Sequence, residues 1–293
     1  MSRALAYRAR FRRVLEHIDD HLEEELSVDR LSAVAAFSKY HFHRQFSALY
    51  GVGVHAYVRM VRLRRAAFRL AFRPDLRVID IALTSGYESH EAFCRAFKKA
   101  AGQPPSEFRA QPRWLAWHDV DQHLSELRSQ HMKPTHAPRD VSIVDFPATR
   151  IAVMEHRGDP RTIGGTIQRF IAWRRRVGLT PRTQATFNLL YGEPEQVPAP
   201  EGFRLDLCTT TDRPVADPAE GISEREIPAG RCARLRHLGS DDTLEQSVLY
   251  LYATWLPGSG EEPRDFPVFL QRVHFFPDVP EHEAITDVFL PLR

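Results

Sequence analysis

Ser38-Lys-Tyr-His-Phe-His-Arg-Gln-Phe-Ser-Ala-Leu-Tyr-Gly51 returns at a constant offset of 51 as Ser89-His-Glu-Ala-Phe-Cys-Arg-Ala-Phe-Lys-Lys-Ala-Ala-Gly102. Ser, Phe, Arg, Phe and Gly coincide. The residues just upstream match as well, Val28, Leu31 and Phe37 against Val78, Ile81 and Tyr87, with one residue inserted in the second turn. Self-similarity at a fixed period marks a duplicated supersecondary unit. Each copy reads as a short helix, a tight turn and a second helix, opened by a serine that can cap it and closed by a glycine that can stop it. The paired phenylalanines, Phe42/Phe46 and Phe93/Phe97, are four apart and share a core face. Tyr40, His43 and Arg44, and His90, Glu91, Cys94 and Arg95, are left nearer the opposite face.

Outward from the repeat, everything upstream of residue 103 reads as helix. Tyr7, Phe11, Val14, Leu15, Ile18, Leu22 and Leu26 form a core stripe on a long first helix. A helix over 54–72 joins the copies, anchored by Tyr57, Val58, Val61 and Leu70. It carries Arg59, Arg62, Arg64, Arg65 and Arg69, expected to be surface charge with one or two at most on phosphate, and it serves as a rigid spacer. Prolines punctuate 103–139, where the domain boundary is expected. Leu115, Val120, Leu124 and Leu127 predict one amphipathic helix over 114–130, and 131–139 reads as the linker.

The chain of 293 residues suits two domains, and 43% apolar with 27% charged residues excludes a disordered or fibrous chain. Three scattered cysteines, Cys94, Cys208 and Cys232, indicate neither a disulfide framework nor a zinc site. The net charge of +2 conceals +7 over residues 1–110 and −5 over the rest, so the first part is the one suited to phosphate. No apolar run nears the ~18 residues of a membrane span. Arg8, Arg10, Arg12 and Arg13 stand where a secretory signal would be apolar. A cytoplasmic protein without membrane contact is expected.

Two helix-turn-helix units on one polypeptide can enter successive major grooves of double-stranded DNA about 34 Å apart. Residues 8–110 resemble the DNA-binding domain of the AraC/XylS family. The resemblance rests on Ile79-Asp-Ile-Ala-Leu-Thr-Ser-Gly-Tyr-Glu-Ser-His-Glu-Ala-Phe-Cys-Arg-Ala-Phe-Lys-Lys99 and on the closing Gly102-Gln-Pro-Pro-Ser-Glu-Phe-Arg109. It implies a transcription regulator that meets DNA through Lys39, Tyr40, His43 and Arg44 in the first unit and His90, Glu91, Cys94 and Arg95 in the second. Arg44 and Arg95 suit guanine O6/N7 or phosphate. Glu91 stands where an amide is common in the family, and Cys94 is a poor hydrogen-bonding residue, so the two units are expected to read DNA unequally.

A second repeat, at an offset of 81, sets Pro147-Ala-Thr-Arg-Ile-Ala-Val-Met-Glu-His-Arg-Gly158 against Pro228-Ala-Gly-Arg-Cys-Ala-Arg-Leu-Arg-His-Leu-Gly239. Each copy leads into a helix, over 162–177 and 241–255, and then into two strand-like runs, 186–191 with 203–210 and 268–276 with 284–290. The fold class expected is thus multidomain: an all-α tandem helix-turn-helix domain over 1–112, a helical segment and linker over 113–139, and an α+β domain of two strand-helix-strand-strand repeats over 140–293. The repeats should meet edge to edge, with a concave groove between their helices.

Residues 141–292 resemble the GyrI-like small-molecule-binding domain through Glu226-Ile-Pro-Ala-Gly-Arg-Cys-Ala-Arg-Leu-Arg-His-Leu-Gly239, Leu249-Tyr-Leu-Tyr-Ala-Thr-Trp-Leu-Pro257 and Glu283-Ala-Ile-Thr-Asp-Val-Phe-Leu-Pro-Leu292. The resemblance implies a sensor whose small-molecule effector is bulky, aromatic or amphipathic and in some relatives cationic, with contact to RNA polymerase as one output. Tyr191, Tyr252 and Trp255 are the aromatic candidates for its ligand and Glu155 and Glu226 the acidic ones, while Trp173 and Phe187 read as core. Cation-binding relatives place a Glu after the Phe of the penultimate strand, whereas Phe269 is followed here by Leu270. The competing class is a small-molecule hydrolase or sequestering protein, for which Tyr191 and Glu155 are the available pair. No catalytic set, cofactor or metal site is expected. His123, His131 and His136 lack partners at ligand spacing.

Overall fold

The computed structural model describes residues 3–191 and 202–293. The chain divides into two compact units, one of Met1–Lys133 with Pro280–His282, the other of Pro134–Val279 with Glu283–Arg293. Among the described residues, no helix is long and apolar enough to cross a membrane.

The first unit runs α1 (Arg3–Asp20), α2 (Val28–Ala35), α3 (Lys39–Tyr50), α4 (Val54–Phe72), α5 (Val78–Thr84), α6 (His90–Ala101), α7 (Pro105–Ala110) and α8 (Trp114–His131). Ser38 and Ser89 cap α3 and α6 by accepting from the amides of His41 and Ala92, and Gly51 and Gly102 end them in the left-handed region. Phe42, Phe46 and Tyr50 are buried against the stripe of α1, where Phe11 meets Phe42 and Phe46. Phe93 and Phe97 occupy the matching places in the second copy, packed against Tyr87, Phe108 and Trp117. Burying such a ring is worth roughly 2–3 kcal/mol, so this doubled aromatic core fixes which faces of α3 and α6 point outward.

Helix α8 forms as expected, but its buried side is Trp117, Leu124, Leu127 and Arg128, whereas Leu115 and Val120 are exposed. Polar attachment explains the rotation. The buried Arg128 guanidinium donates to both oxygens of Asp19 (3.1 and 2.8 Å) and to the Tyr57 hydroxyl (3.2 Å), and Arg64 donates to Asp121 at 2.7 Å. A buried cation needs such partners, and α1 and α4 supply them.

The second unit is an antiparallel sheet carrying helices. Its elements are β1 (Val141–Phe146), β2 (Thr149–Arg157), α9 (Ile163–Val177), β3 (Thr186–Leu190), β4 (Arg204–Thr210), β5 (Ile222–Ile227), β6 (Gly230–Leu238), α10 (Leu244–Tyr250), β7 (Val268–His274) and β8 (Ile285–Pro291). After α10 the helix continues through a π-helical turn, Leu251–Trp255. Strand order is β1-β6-β8-β7-β3-β4-β2-β5, which is unchanged when the two copies are interchanged, so the pseudo-twofold passes between β3 and β7. Each repeat thus has one strand more than the motif repeat suggests, because β1 and β5 precede it. These first strands are exchanged: β1 pairs with β6, and β5 with β2.

Side-chain alternation sorts this sheet. Ala152, Met154 and Leu207 pack under α9, and Ala233, Leu235, Leu270, Val288 and Leu290 under α10, so both helices cover one face. The alternate residues, Ile151, Val153, Phe187, Cys208, Cys232, Phe269 and Phe289, form a separate cluster on the other. Phe146 on β1 lies 4.8 Å from Phe269 on β7, three strands away, a separation of about 14 Å in a flat sheet. The sheet therefore curls toward the helix-free face. Its concavity lies there and not between the helices as expected from the sequence.

Candidate functional site

The residues singled out on α3 and α6 fall on the outer faces. Tyr40 is 86% exposed and does not pack on α1; His43 and Arg44 are exposed beside it, and Lys39 pairs with Asp29 of α2. On α6, Glu91 and Arg95 are exposed and His90 and Cys94 half-buried, with the Cys94 sulfur 3.5 Å from His90 Nε2. Burial pushes the Cys94 thiol up, and Glu91 adds to this. Glu91 is held below the usual carboxylate range by its own amide and by the Ser89 hydroxyl, so its charge sits at the positive end of α6. Neither Arg44 nor Arg95 has an ion pair or hydrogen bond within the chain among the described residues. Each repeat thus presents one unengaged guanidinium at a matching place.

Four of the five α4 arginines are structural, contrary to the expectation of surface charge. Arg64 is held by Asp121, Arg65 donates to Glu23 (2.5 Å) and Arg69 to Thr84 of α5 (2.8 Å), while Arg59 remains exposed. Arg62 donates to the carbonyls of Leu22 (2.9 Å) and Glu24 (2.7 Å) in the first unit's α1–α2 loop. On its other side it lies against Gly86 in the turn of the second helix-turn-helix copy, where an added Cβ would stand 2.4 Å from the guanidinium carbon. It spans a cleft of about 790 Å³ lined also by Glu23, His55, Arg59 and Tyr87. Helix α4 is therefore braced against both helix-turn-helix copies. A lone arginine in a helix gives no sequence signal for this, although the glycine at the second turn, where the first has Ala36, is a trace of it.

The ligand candidates of the sheet domain do not converge. Tyr191 and Glu155 lie together on the helix-free face. Trp255 packs with the α10 core, Tyr252 is 43% exposed after α10, and Glu226 is exposed on edge strand β5, facing the other way. Trp173 and Phe187 are buried in the clusters under α9 and on the helix-free face.

Around Tyr191 and Glu155 stand three residues that the sequence reading missed: Arg204, Asp206 and Arg225. Asp206, fully buried, accepts from the Tyr191 hydroxyl (3.0 Å), from Arg204 (2.9 and 3.1 Å) and from Arg225 (2.7 Å). Glu155 accepts from Arg157 (2.8 Å), Arg204 (3.2 Å) and Arg225. The Arg204 guanidinium lies over the Tyr191 ring, 3.7 Å from its centre. Burial raises Glu155, but the three guanidiniums outweigh it and leave the carboxyl below its usual range. Burial and Asp206 push the Tyr191 phenol up. Both shifts carry the groups further from neutral pH, whereas an efficient general acid–base pair titrates near it. The i, i+2 spacing of Arg204 and Asp206 places that pair on one face of a strand, but nothing in the sequence joins it to Glu155 or Arg225.

A second polar device repeats across the copies. Nε2 of His156 and His237 meets the carbonyls of Asp159 and Ser240 (3.2 and 3.1 Å), which only accept. Nε2 therefore carries the proton, and Nδ1 accepts from Thr166 (2.8 Å) and Ser247 (2.7 Å). Ser247 also meets His136 Nε2 at 2.8 Å.

Residues 139–293 match the model of the GyrI-like small molecule binding domain, and residues 31–111 that of a helix-turn-helix domain. A probable transcriptional regulator of Escherichia coli K12, YgiV, is 36% identical over 159 residues, 54% of this chain and 99% of its own. The Bacillus subtilis HTH-type regulator YbfP is 42% identical over 103 residues, 35% of each chain. Among solved structures, the cryo-EM structure of an EcmrR–DNA complex covers 92% of this chain and 85% of its own, with 13% identity and a TM-score of 0.44.

Proposed function

From the premise that the chain belongs to the GyrI-like small-molecule-binding family and carries a helix-turn-helix domain, we propose a cytoplasmic transcription regulator that reads a bipartite site on double-stranded DNA. A small aromatic or amphipathic effector on the sheet domain alters promoter binding or contact with RNA polymerase. The observation that carries this reading is the doubled outer face, with Arg44 and Arg95 exposed at matching places and neither hydrogen-bonded or ion-paired among the described residues. A guanidinium free to donate two parallel hydrogen bonds discriminates a guanine by about 1–3 kcal/mol. The braces from α4 support a fixed spacing between the half-sites. The arginine-saturated Glu155 and the bonded Tyr191 favour a regulator over a hydrolase.

Selection of bound sequences from random duplex DNA tests it, using the full chain, Arg44→Ala and Arg95→Ala. Two motifs about one helical turn apart, with each variant losing preference in one of them, are expected. Sequence-blind, salt-sensitive binding by the unaltered protein would overturn the reading.

A further inference from the structure

Register sets Glu155 of β2 directly opposite Asp206 of β4, on the helix-free face. Like charges so placed repel, and the chain answers with three guanidiniums, Arg157, Arg204 and Arg225, leaving the cluster one positive charge in excess. The matching pair of the second repeat is Arg236 opposite Asp287, joined at 2.7 and 2.8 Å, and Arg234 points to the same face two residues earlier. Along these strands the helix-free face carries five guanidiniums against three carboxylates. The carboxylates are inward, Asp206 buried and Asp287 nearly so, whereas Arg157 and Arg236 expose more than half of their side chains.

We propose that this face binds an anionic aromatic ligand at Tyr191, Arg204, Arg225 and Arg157, the ring against the tyrosine end and the anion on the guanidiniums. The assignment rests on the effector-binding reading above and names its charge. A cationic ligand would have to displace Arg204 from the Tyr191 ring, the surface where a cation–π contact would form. It would also add to a positive surplus. Among the described residues an anion displaces nothing: Arg157 uses only its Nε on Glu155 and offers its terminal nitrogens, and a carboxylate accepts charge-assisted bonds from a guanidinium in a fork geometry.

Isothermal titration of the full-length protein with naphthalene-2-carboxylate and with 2-naphthylmethylammonium, one ring system with opposite charges, decides the matter. The carboxylate is expected to bind at least tenfold more tightly, and Arg204→Met and Arg157→Gln should each weaken it tenfold without strengthening the ammonium. Because Arg157 is exposed, its variant keeps the test valid if Arg204→Met fails to fold. Equal binding, or a preference for the ammonium, overturns the charge assignment and leaves effector binding standing. A carboxylate preference indifferent to both variants moves the site elsewhere and also overturns it. Binding of neither compound removes the assignment together with the effector reading.

Discussion

In the helical half, the core, capping and outer arginine positions share an environment across the repeat. Phe42 and Phe93 are fully buried, Gly51 and Gly102 close their helices left-handed, and Arg44 and Arg95 stand exposed. In the sheet half the backbone repeats as faithfully, but matched side chains have opposite character: Glu155 corresponds to Arg236, while Asp206 keeps its acid as Asp287. On the proposed reading, the helical copies do the same thing to successive grooves of one duplex, and they are held alike. Two copies that form one asymmetric surface are free to differ, and the difference is where the sheet domain concentrates its charge.

The largest consequence concerns the two aspartates. Asp206 is buried beneath two guanidiniums and a phenol, whereas Asp287 serves the single, half-exposed Arg236. Removing one partner of a buried pair strands the other, and such losses run to about 3 kcal/mol or more. Pairs with an exposed member are worth ~1 kcal/mol or less. Asp206→Asn should therefore lower stability by about 3 kcal/mol in urea unfolding, and Asp287→Asn by no more than about 1 kcal/mol. Equal losses would mean that the asymmetry of the two copies is only apparent.

Within the second copy, two left-handed glycines differ in what surrounds them. Gly86 has φ +72° and faces Arg62, while Gly102 has φ +70° with open space around it. Left-handed backbone costs a residue with a Cβ roughly 1–2 kcal/mol. Gly102→Ala should show that cost less the gain from a narrower unfolded ensemble, about 0.5 kcal/mol net. Gly86→Ala should exceed it and, by displacing Arg62, relax the spacing between half-sites recovered in a selection, an effect that Arg62→Ala should reproduce. If Arg62→Ala leaves the spacing sharp, the brace is not what sets it.

A pH experiment separates the copies in the sheet domain. Burial holds His237 below its ordinary value, and burial does the same to His136, which shares Ser247 with it. Unfolding returns both to about 6.5, so below that pH the unfolded chain binds more protons than the folded one. Stability conferred above pH 6.5 should thus fall as the pH drops toward 5, read as the urea midpoint. His136→Gln should flatten that slope; an unchanged slope would remove His136 from the account.

Repeats made the fold legible. Offsets of 51 and 81 residues located each helix-turn-helix unit, α9, α10 and six of the eight described strands, because backbone elements follow periodic burial. The first strands β1 and β5 escaped because they lie ahead of the quoted match and pair with the other copy, a choice made by tertiary closure. Side chains on the helical outer faces were equally legible, since four-residue spacing of Phe42 and Phe46 fixes what remains outside. The arginine cluster was not: Arg204 and Arg225 come from strands on either side of β2, and only register brings them to Glu155. Likewise Arg62 looks like any surface arginine until the loop carbonyls of Leu22 and Glu24 are seen beneath it.

The smallest effect tests the same turn from the other copy. Ala36, which corresponds to Gly86, holds φ +55°, the left-handed region that an alanine enters at a cost. Its amide nonetheless closes α2 by bonding to the carbonyls of Ala33 and Ser32, so the conformation is imposed by the turn. Ala36→Gly removes the steric cost of roughly 1–2 kcal/mol but widens the unfolded ensemble by about 0.4–1 kcal/mol. The balance is a gain of about 0.5 kcal/mol, small but of definite sign, visible as a higher urea midpoint with unchanged slope. The brace lies at Gly86 of the other copy, so half-site spacing should not move. A destabilised Ala36→Gly variant would mean that the methyl group packs usefully and that the two turns differ by more than their neighbours.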